Sequence, residues 1–247
     1  MSRTSAGIGN ARSRPHGPQI RTLFNGMNLP DELRADFDFL LKIKDREGFF
    51  DLIKTTHPVE SPGYGLIRRA YNDAEESHSK RRRHSGEREF RHLFRCALIL
   101  RIYCEVVDPD DIAAMLEHDL PETFRRKWTY ERIALRSNDA VAKKVFYLTK
   151  PRQRRGETKR EVERRYYRGQ LAHAPRMEIM KKGVDALDNL ITLWKRSAKR
   201  IYQKINDVLQ YLLPLLRKHR LFKLLKAIQA VLKCIRHKLQ NNIAFAY

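Results

Sequence analysis

Apolar residues recur at helical spacing from Leu66 almost to the C-terminus, and this periodicity limits the folds open to the chain. A strand pair would show alternating apolar and polar residues joined by a short turn. Neither that alternation nor an Asn-Gly or Asp-Gly turn is convincing here. The pattern therefore predicts an all-α helical bundle with helical extensions at both ends.

Composition and helix-breaking residues divide the chain into four predicted segments. Residues 1–18 are rich in Ser, Arg, Gly and Pro, contain no acid, and are predicted to form a disordered basic arm. A helical N-terminal extension at 19–63 ends in a Pro- and Gly-containing cluster, and the main helical domain is expected at 64–200. Very basic helices are predicted at 201–247. Helices of the domain are predicted at 66–78, 90–107, 131–149, 160–169 and 178–194, with another that is capped by Asp108.

The chain carries a formal net charge of +22, which attracts polyanions such as phosphorylated nucleotides, nucleic acid or acidic membrane surfaces. No nucleic-acid-binding module is recognisable. Binding to nucleic acid or to an acidic membrane surface is therefore possible from the charge but is not supported by a motif. Three cysteines without a CxxC pair argue against a disulfide scaffold and suit a reducing compartment. Because no apolar run reaches membrane-spanning length and no secretory signal is visible, we expect a cytoplasmic protein. The basic arm is compatible with a transit peptide but is more typical of a solvated tail.

An apolar helical run at residues 112–117 ends in a His-Asp pair, His118 and Asp119, followed one turn later by Glu122. Near a helix end both side chains can bend toward one ion, and imidazole with carboxylate suits Mn²⁺, Zn²⁺ or Fe²⁺. Glu122 would then be within reach of the site as a general acid or base. A dipeptide of this kind is common by chance, and its plainer interpretation is an ion pair at a helix end.

Three further observations favour the metal. His92 and Asp185 also stand on predicted apolar helices, so that both would point inward together with His118 and Asp119. An unpaired Asp in an apolar interior is costly, and one shared ion would satisfy all four side chains. The order of these residues, a His, then a His-Asp pair, then an Asp, is the order found in the HD phosphohydrolase superfamily.

The resemblance is more specific than the superfamily. Residues 78–92 (HSKRRRHSGEREFRH) resemble, without a gap, the H-x-G-Q-x-R-x-S-G-E-P-Y-I-x-H stretch of the Rel/Spo alarmone hydrolase domain. Residues 112–123 are similar to its A-A-L-L-H-D-x-x-E-D-T. Residues 145–150 are similar to its V-x-x-x-T-K, and residues 182–190 to its K-L-A-D-R-x-H-N-M. The similarity extends over roughly residues 64–215, with no synthetase domain after it, as in a small alarmone hydrolase.

This resemblance implies an Mn²⁺-dependent hydrolase that removes the 3′-diphosphate from (p)ppGpp to give GDP or GTP and pyrophosphate, although another divalent transition metal is possible. It implies His92, His118, Asp119 and Asp185 as metal ligands, and Glu122 and Asn189 as catalytic residues. It implies substrate binding by side chains that are basic, hydroxyl-bearing or aromatic: Arg83, Ser85, Lys150, Lys182 and Tyr211. A metal beside many Lys and Arg side chains suits a highly charged phosphate ester.

The chain departs from the family pattern at several positions. The Asp of the family's E-D pair is Thr123, its P-Y is Arg88-Glu89, and the Arg and His of D-R-x-H-N are Ala186 and Asp188. These departures affect nucleotide specificity more than the reaction class. Two alternatives therefore stay open. One is a phosphohydrolase that acts on another nucleotide, such as NADPH, from which it would remove the 2′-phosphate. The other is a degenerate HD module that binds nucleotide or RNA as a regulator.

The C-terminal segment carries an apolar stripe at helical spacing, interspersed with basic residues. The stripe consists of Leu221, Leu224, Leu225, Ile228, Val231, Leu232, Ile235 and Leu239. Such a stripe is typical of a helix that packs on the core or on a second copy of the chain, which makes a homo-oligomer possible. The alternative is a basic amphipathic helix that contacts a membrane or a target protein.

Overall fold

A computed structural model describes residues 27–83, 86–193 and 198–241, and in this part of the chain it contains no β-sheet. A single antiparallel bridge pairs Arg82 with Arg88. The all-α fold class predicted from the periodicity is therefore confirmed. The helices, numbered in chain order, are α1 (Asp31–Arg34), α2 (Phe39–Lys42), α3 (Arg46–Lys54), α4 (Pro62–His78), α5 (Phe90–Leu98), α6 (Pro109–Glu117), α7 (Leu120–Thr123), α8 (Tyr130–Arg136), α9 (Asp139–Leu148), α10 (Lys159–Arg165), α11 (Arg176–Ile191), α12 (Ala198–Asp207), α13 (Leu213–Lys218) and α14 (Phe222–Gln240).

The centre of the fold is α6, which is apolar on nearly all sides. It packs against α4, α5 and α9, while α11 contacts α5 and α9 from the other side of the core. Ile112, Ala113, Met115 and Leu116 of α6 are fully buried. Because α6 is enclosed by its neighbours, the residues at its C-terminal end are carried into the interior of the bundle.

Local sequence signals explain where the central helices begin. Asp108 accepts a hydrogen bond from the Asp111 backbone N–H, and Pro109 takes the first helical position, where its missing N–H costs nothing. Ser61 and Pro62 begin α4 in the same way. Thr158 forms a capping box with Glu161 at the start of α10.

The N-terminal helices cover α4 and α5 with aromatic side chains. Phe49 lies 5.3 Å from Tyr71 and 5.6 Å from Phe94, measured between ring centroids. The backbone N–H of Asn28 donates to the carbonyl of Ile191, and its side-chain amide donates to that of Leu190. The segment before α1 is thereby attached to the C-terminal end of α11.

Two predicted helix boundaries in the domain were wrong. The helix expected at 90–107 is α-helical only to Leu98, continues as a π-helix over Ile99–Tyr103, and ends before Glu105, whose φ is 60°. The helix expected at 131–149 is two helices, because the Asn138 side chain accepts from the Val141 N–H and starts α9 anew. Apolar spacing continues across both breaks, and periodicity alone does not reveal them.

The C-terminal helix α14 packs on α11 and α13. Its apolar stripe is buried there except for Leu239, which is partly buried, so this face packs on the core. The contact with α11 is close because Gly183 has no side chain. A Cβ on Gly183 would lie 2.5 Å from Leu224 Cδ2 and 3.1 Å from Leu216 Cδ2.

None of the helices in the described residues combines the length and the apolar character that a membrane span needs. The predicted segment boundaries at 18, 63 and 200 stay predictions, and the arm at 1–18 lies outside the described residues.

Candidate metal centre and its surroundings

The His-Asp pair lies where the sequence predicts it, at the C-terminal end of α6. His118 follows the last residue of that helix and is 2% exposed. Its Nδ1–H donates to the Met115 carbonyl at 2.8 Å, which leaves Nε2 as the lone-pair nitrogen. Asp119 precedes α7, and its Oδ1 lies 3.3 Å from His118 Nε2. The turn between the two helices thus directs both side chains to one point.

His92 reaches the same point from the first turn of α5 and is 2% exposed. Its Nε2 lies 3.2 Å from Asp185 Oδ1 and 3.9 Å from Asp119 Oδ2. Its Nδ1 is 2.6 Å from Asp188 Oδ2, so the Nδ1–H donates to that carboxylate. The hydrogen bond on Nδ1 leaves Nε2 available toward the two other carboxylates.

Asp185 comes from α11 and completes the group. Its Oδ1 is 3.9 Å from His118 Nε2. Lys182, one turn earlier, approaches Asp185 Oδ2 at 2.8 Å, and the Asn189 amide donates to Oδ1 at 2.5 Å. Burial alone would raise the pKa of Asp185, but Lys182 with His92 and His118 holds that pKa well below its usual range. The carboxylate is therefore ionised, as a metal ligand must be.

The residues present fit a divalent cation. Ligands about 2.1 Å from a common ion lie roughly 3 to 3.5 Å from one another. The His92–Asp185 and His118–Asp119 separations, 3.2 and 3.3 Å, are of that size, and the His92–Asp119 and His118–Asp185 separations are longer, at 3.9 Å. His92, His118 and Asp119 offer ligand atoms that all lie within 4.8 Å of each other. His118 Nε2 is buried and has no hydrogen-bond partner among the described residues. A buried lone pair of this kind is costly unless something binds it, and a cation beside two carboxylates would do so.

Glu122 and Lys150 lie beside this group. Glu122 is on α7, one turn after Asp119, with a half-buried side chain. Lys150 follows Thr149, whose hydroxyl is 3.4 Å from the His118 carbonyl. Burial would lower the pKa of Lys150 and so would nearby Lys182, but Glu122 among other groups raises it above its ordinary value. Lys150 is therefore cationic, and it forms an ion pair with Glu163 at 3.2 Å.

The structure joins Arg83 and Asn189 directly. The Arg83 guanidinium donates to Asn189 Oδ1 at 2.7 Å and to the Thr192 hydroxyl at 3.2 Å. Asn189 in turn donates to Asp185, so these two predicted site residues are linked as a pair to a candidate metal ligand. Ser85, predicted beside them, lies outside the described residues.

Lys182 and Tyr211 differ in their surroundings. Lys182 is buried, with its Nζ 2.8 Å from Asp185 and 5.3 Å from the centre of the Tyr166 ring. Tyr211 is also buried, stacked on Tyr167 with ring centroids 5.2 Å apart. The Tyr211 ring lies beneath Arg160 and Arg168. Among the described residues, Tyr211 does not line the cleft that opens next to Lys150 between α10 and α12.

That cleft is a feature that the sequence motifs did not indicate. It has a volume of about 730 Å³ and opens beside Lys150, between α10 and α12. Its floor includes Lys204, which is half-buried. Burial lowers the pKa of Lys204 to about 8, with Lys150 and Lys182 acting in the same direction and Asp185 opposing them. The cleft is lined by Lys150, Thr158, Lys159, Arg160, Glu163, Arg200, Gln203, Lys204, Asn206 and Asp207.

Two further charged residues that the sequence did not single out lie behind His92. Asp188 accepts from His92, and Arg95 donates to Asp188. Asp188 is one turn from Asp185 on the same helix, so its i+3 spacing was a usable signal. Arg95 had no signal, because a lone Arg on an apolar helix predicts no particular partner.

No family model matches the chain, and no curated protein matches it. Among solved structures, the all-α fold of this chain matches that of several chains. One of these structures is described as "A metazoan ortholog of SpoT hydrolyzes ppGpp and plays a role in starvation responses". The match covers 72% of this chain and 96% of the chain in that structure, with a TM-score of 0.57 and 19% sequence identity.

Proposed function

We propose that the chain is a metal-dependent hydrolase that removes the 3′-diphosphate from ppGpp or pppGpp. The products would be GDP or GTP, with a free 3′-hydroxyl, and pyrophosphate. The observation that carries this proposal is the convergence of two histidines and two aspartates around His118 Nε2, which has no hydrogen-bond partner in the described ranges, next to a basic cleft. The likeness in fold to a metazoan ppGpp hydrolase supports the choice of substrate.

His92, His118, Asp119 and Asp185 would hold the ion. Bound there, Mn²⁺ would supply Lewis-acid polarisation of the phosphate ester and a water nucleophile at neutral pH. Zn²⁺ or Fe²⁺ would suit the same imidazole and carboxylate donors. The choice of Mn²⁺ comes from the sequence resemblance to the Rel/Spo hydrolases.

The remaining polar residues divide the work on the substrate. Water attacks the 3′-phosphorus and the bond to the ribose 3′-oxygen breaks, so one proton must leave the water and one must reach that oxygen. Glu122 is the group that moves a proton at this point. Lys150 and the cations of the adjoining cleft would neutralise phosphate charge. Arg83 and Asn189 would bind the nucleoside at the edge formed by the 79–89 loop.

Release of pyrophosphate tests the proposal. Purified protein with Mn²⁺ and ppGpp is expected to give GDP and pyrophosphate, resolved by anion-exchange chromatography. A His118→Ala, Asp119→Ala double variant is expected to give neither product. The matched control is a His173→Ala, Asp51→Ala double variant, which removes an exposed His and an exposed Asp away from the site and should retain activity.

Three outcomes would contradict the proposal in different ways. Orthophosphate from NADPH with no pyrophosphate from ppGpp would leave a metallohydrolase of another nucleotide. If the protein binds metal but hydrolyses neither compound, both ppGpp and NADPH would be excluded as substrates. Absence of both metal and turnover would favour a nucleotide- or RNA-binding module.

A further inference from the structure

A chain of alternating charges extends from the back of His92 to the loop before α5. Asp188 Oδ2 is 2.6 Å from His92 Nδ1, and Asp188 Oδ1 is 2.6 Å from Arg95 Nε. A second Arg95 nitrogen reaches Asp188 Oδ2 at 3.2 Å. The far side of the same guanidinium forms a two-pronged contact with Glu87, one arm of which measures 3.1 Å.

The inner part of this chain is sealed from solvent. Asp188 is 0% exposed and Arg95 is 3% exposed. Charges buried this deeply are costly to desolvate and are stable only when each has its partners in good geometry. Every polar atom of the Asp188 carboxylate is engaged, which fixes its orientation relative to the imidazole.

Asp188 is close enough to His92 and Cys96 to be considered as a metal ligand itself. Its contacts argue against that role. Both carboxylate oxygens already accept hydrogen bonds from Arg95, and Oδ2 also accepts from the imidazole Nδ1–H. A carboxylate that receives the Nδ1–H of a ligating His sets the tautomer and the angle of the ring.

The outer end of the chain belongs to the 79–89 loop. The Arg83 N–H donates to the Glu87 carbonyl at 2.8 Å, and Gly86 adopts a φ of 85°, a conformation that suits glycine. This turn directs Glu87 toward Arg95 and Arg83 toward Asn189. Residues of this loop therefore contact α11 at two successive positions: Asp188, through Arg95 and also through Arg83 at 3.9 Å, and Asn189, through Arg83.

We propose that Asp188 is a positioning residue for the metal ligand His92, and that Arg95 and Glu87 couple it to the 79–89 loop. The inference rests on the metal centre of the proposed function, and it adds that the geometry of the loop and the affinity for the ion depend on one another. By linkage, a ligand that stabilises the Glu87–Arg95 contact tightens the binding of the ion, and the ion stabilises that contact to the same extent.

The first test is titration of metal-free protein with Mn²⁺ alone, with the free ion measured by electron paramagnetic resonance. Asp188→Asn is expected to raise the dissociation constant by about 10- to 100-fold, the range usual for a partner of a ligating His. In this variant Arg95 competes for the single amide oxygen. The NH₂ group would then face Nδ1 and favour the Nε2–H tautomer, which cannot bind the ion.

A second, less buried variant carries the test if Asp188→Asn does not fold. Glu87→Gln is expected to weaken Mn²⁺ binding in the same direction by a smaller factor, because the bidentate contact with Arg95 loses its charge. Glu89→Gln is the matched control. Glu89 lies in the same loop with a side-chain exposure of 22%, against 23% for Glu87, but pairs outward with Arg81. Its affinity should equal that of the wild type.

A spectroscopic readout separates positioning from general stability. In Zn²⁺-loaded wild-type protein the Nδ1 proton of His92, hydrogen-bonded to a carboxylate, should resonate far downfield in the proton spectrum. Asp188→Asn should remove or shift that resonance. Unchanged Mn²⁺ affinity in Asp188→Asn, or equal effects of Glu87→Gln and Glu89→Gln, would overturn the inference. Wild-type protein that binds no Mn²⁺ would overturn it together with the metal centre, whereas failure to cleave ppGpp would count only against the substrate.

Discussion

Lys204 shows how a single residue can tie substrate binding to pH. It lies half-buried in the cleft beside Lys150, where burial and neighbouring cations lower its pKa to about 8. Below that pH its ammonium group is charged and attracts phosphate, and above it the amine is neutral. A bound polyanion is attracted only by the charged form. The attraction between Lys204 and phosphate therefore weakens as the pH rises through 8 and the ammonium group loses its proton.

We therefore expect the KM for ppGpp to rise by up to about tenfold for each pH unit above 8, with a smaller change in kcat. Lys204→Arg keeps its charge throughout this range and should remove the alkaline rise. Steady-state kinetics of the two proteins in parallel buffers would measure it. An equal rise in both proteins would assign the effect to another group.

The four candidate metal ligands could be selected from the sequence because each stood on an apolar helix or at its end, where a charged side chain needs a reason to be present. The structure brings these four together, and it adds Asn189 and Arg83 at their edge. Asp188 and Lys204 were missed for different reasons. The role of Asp188 depends on Arg95 from another helix, and that of Lys204 depends on how α12 lies against α10. The i+3 spacing from Asp185 indicates the helix face on which Asp188 lies, but its partner Arg95 and the surroundings of Lys204 are products of tertiary packing that such spacing does not encode.

At the scale of helices, α11 carries a second buried charge group at its N-terminal end. Lys181 is 0% exposed and lies 2.9 Å from Asp111 Oδ1 on α6, in contact also with Glu178. Lys144 of α9 approaches the same Asp111 oxygen at 2.7 Å. Three helices are thereby held in register around Asp111, and Lys181 lies one turn before Asp185 on α11.

Lys181→Met should destabilise the fold by about 3 to 5 kcal/mol, because Asp111 and Glu178 would lose a buried counter-charge. Lys143→Met, an exposed change on α9, should stay within about 0.5 kcal/mol of the wild type. Urea unfolding followed by circular dichroism compares them. Equal midpoints would mean that the buried lysine contributes nothing beyond its surface neighbour.

Helix ends could be predicted where the sequence contains a clear capping residue. They could not be predicted where tertiary contacts determine the end of the helix. Asp108 with Pro109 marked the start of α6 correctly. Asn138 was an equally good cap, but the apolar spacing around it was continuous and favoured one long helix. The π-helical turn after Leu98 has no local sequence signal, and its end at Glu105 depends on a positive φ that sequence does not announce.

At the scale of the whole molecule, the net charge of +22 acts on every anion that approaches. Such a field raises the rate of encounter with a polyanionic substrate and is screened by salt over a Debye length of about 10 Å at 0.1 M. It acts on association and leaves the bonds made after binding largely unaffected.

The KM for ppGpp should accordingly increase as NaCl is raised from about 0.05 to 0.5 M, while kcat changes little. Steady-state kinetics at constant Mn²⁺ would show this, and thermal unfolding at each salt concentration controls for loss of structure. A constant KM across the range would mean that long-range attraction does not assist binding.

The close approach at Gly183 has a consequence for the order in which the protein is made. Leu216 and Leu224, which cover that glycine, are translated after the helix that carries Asp185. Until they emerge from the ribosome, the side of this helix that packs on α13 and α14 is uncovered, and only its contacts with α5 and α9 can hold Asp185 in place. The nascent chain can thus present His92, His118 and Asp119 early, but the fourth donor joins them only late in synthesis. Loading with the ion would then fall to the finished polypeptide.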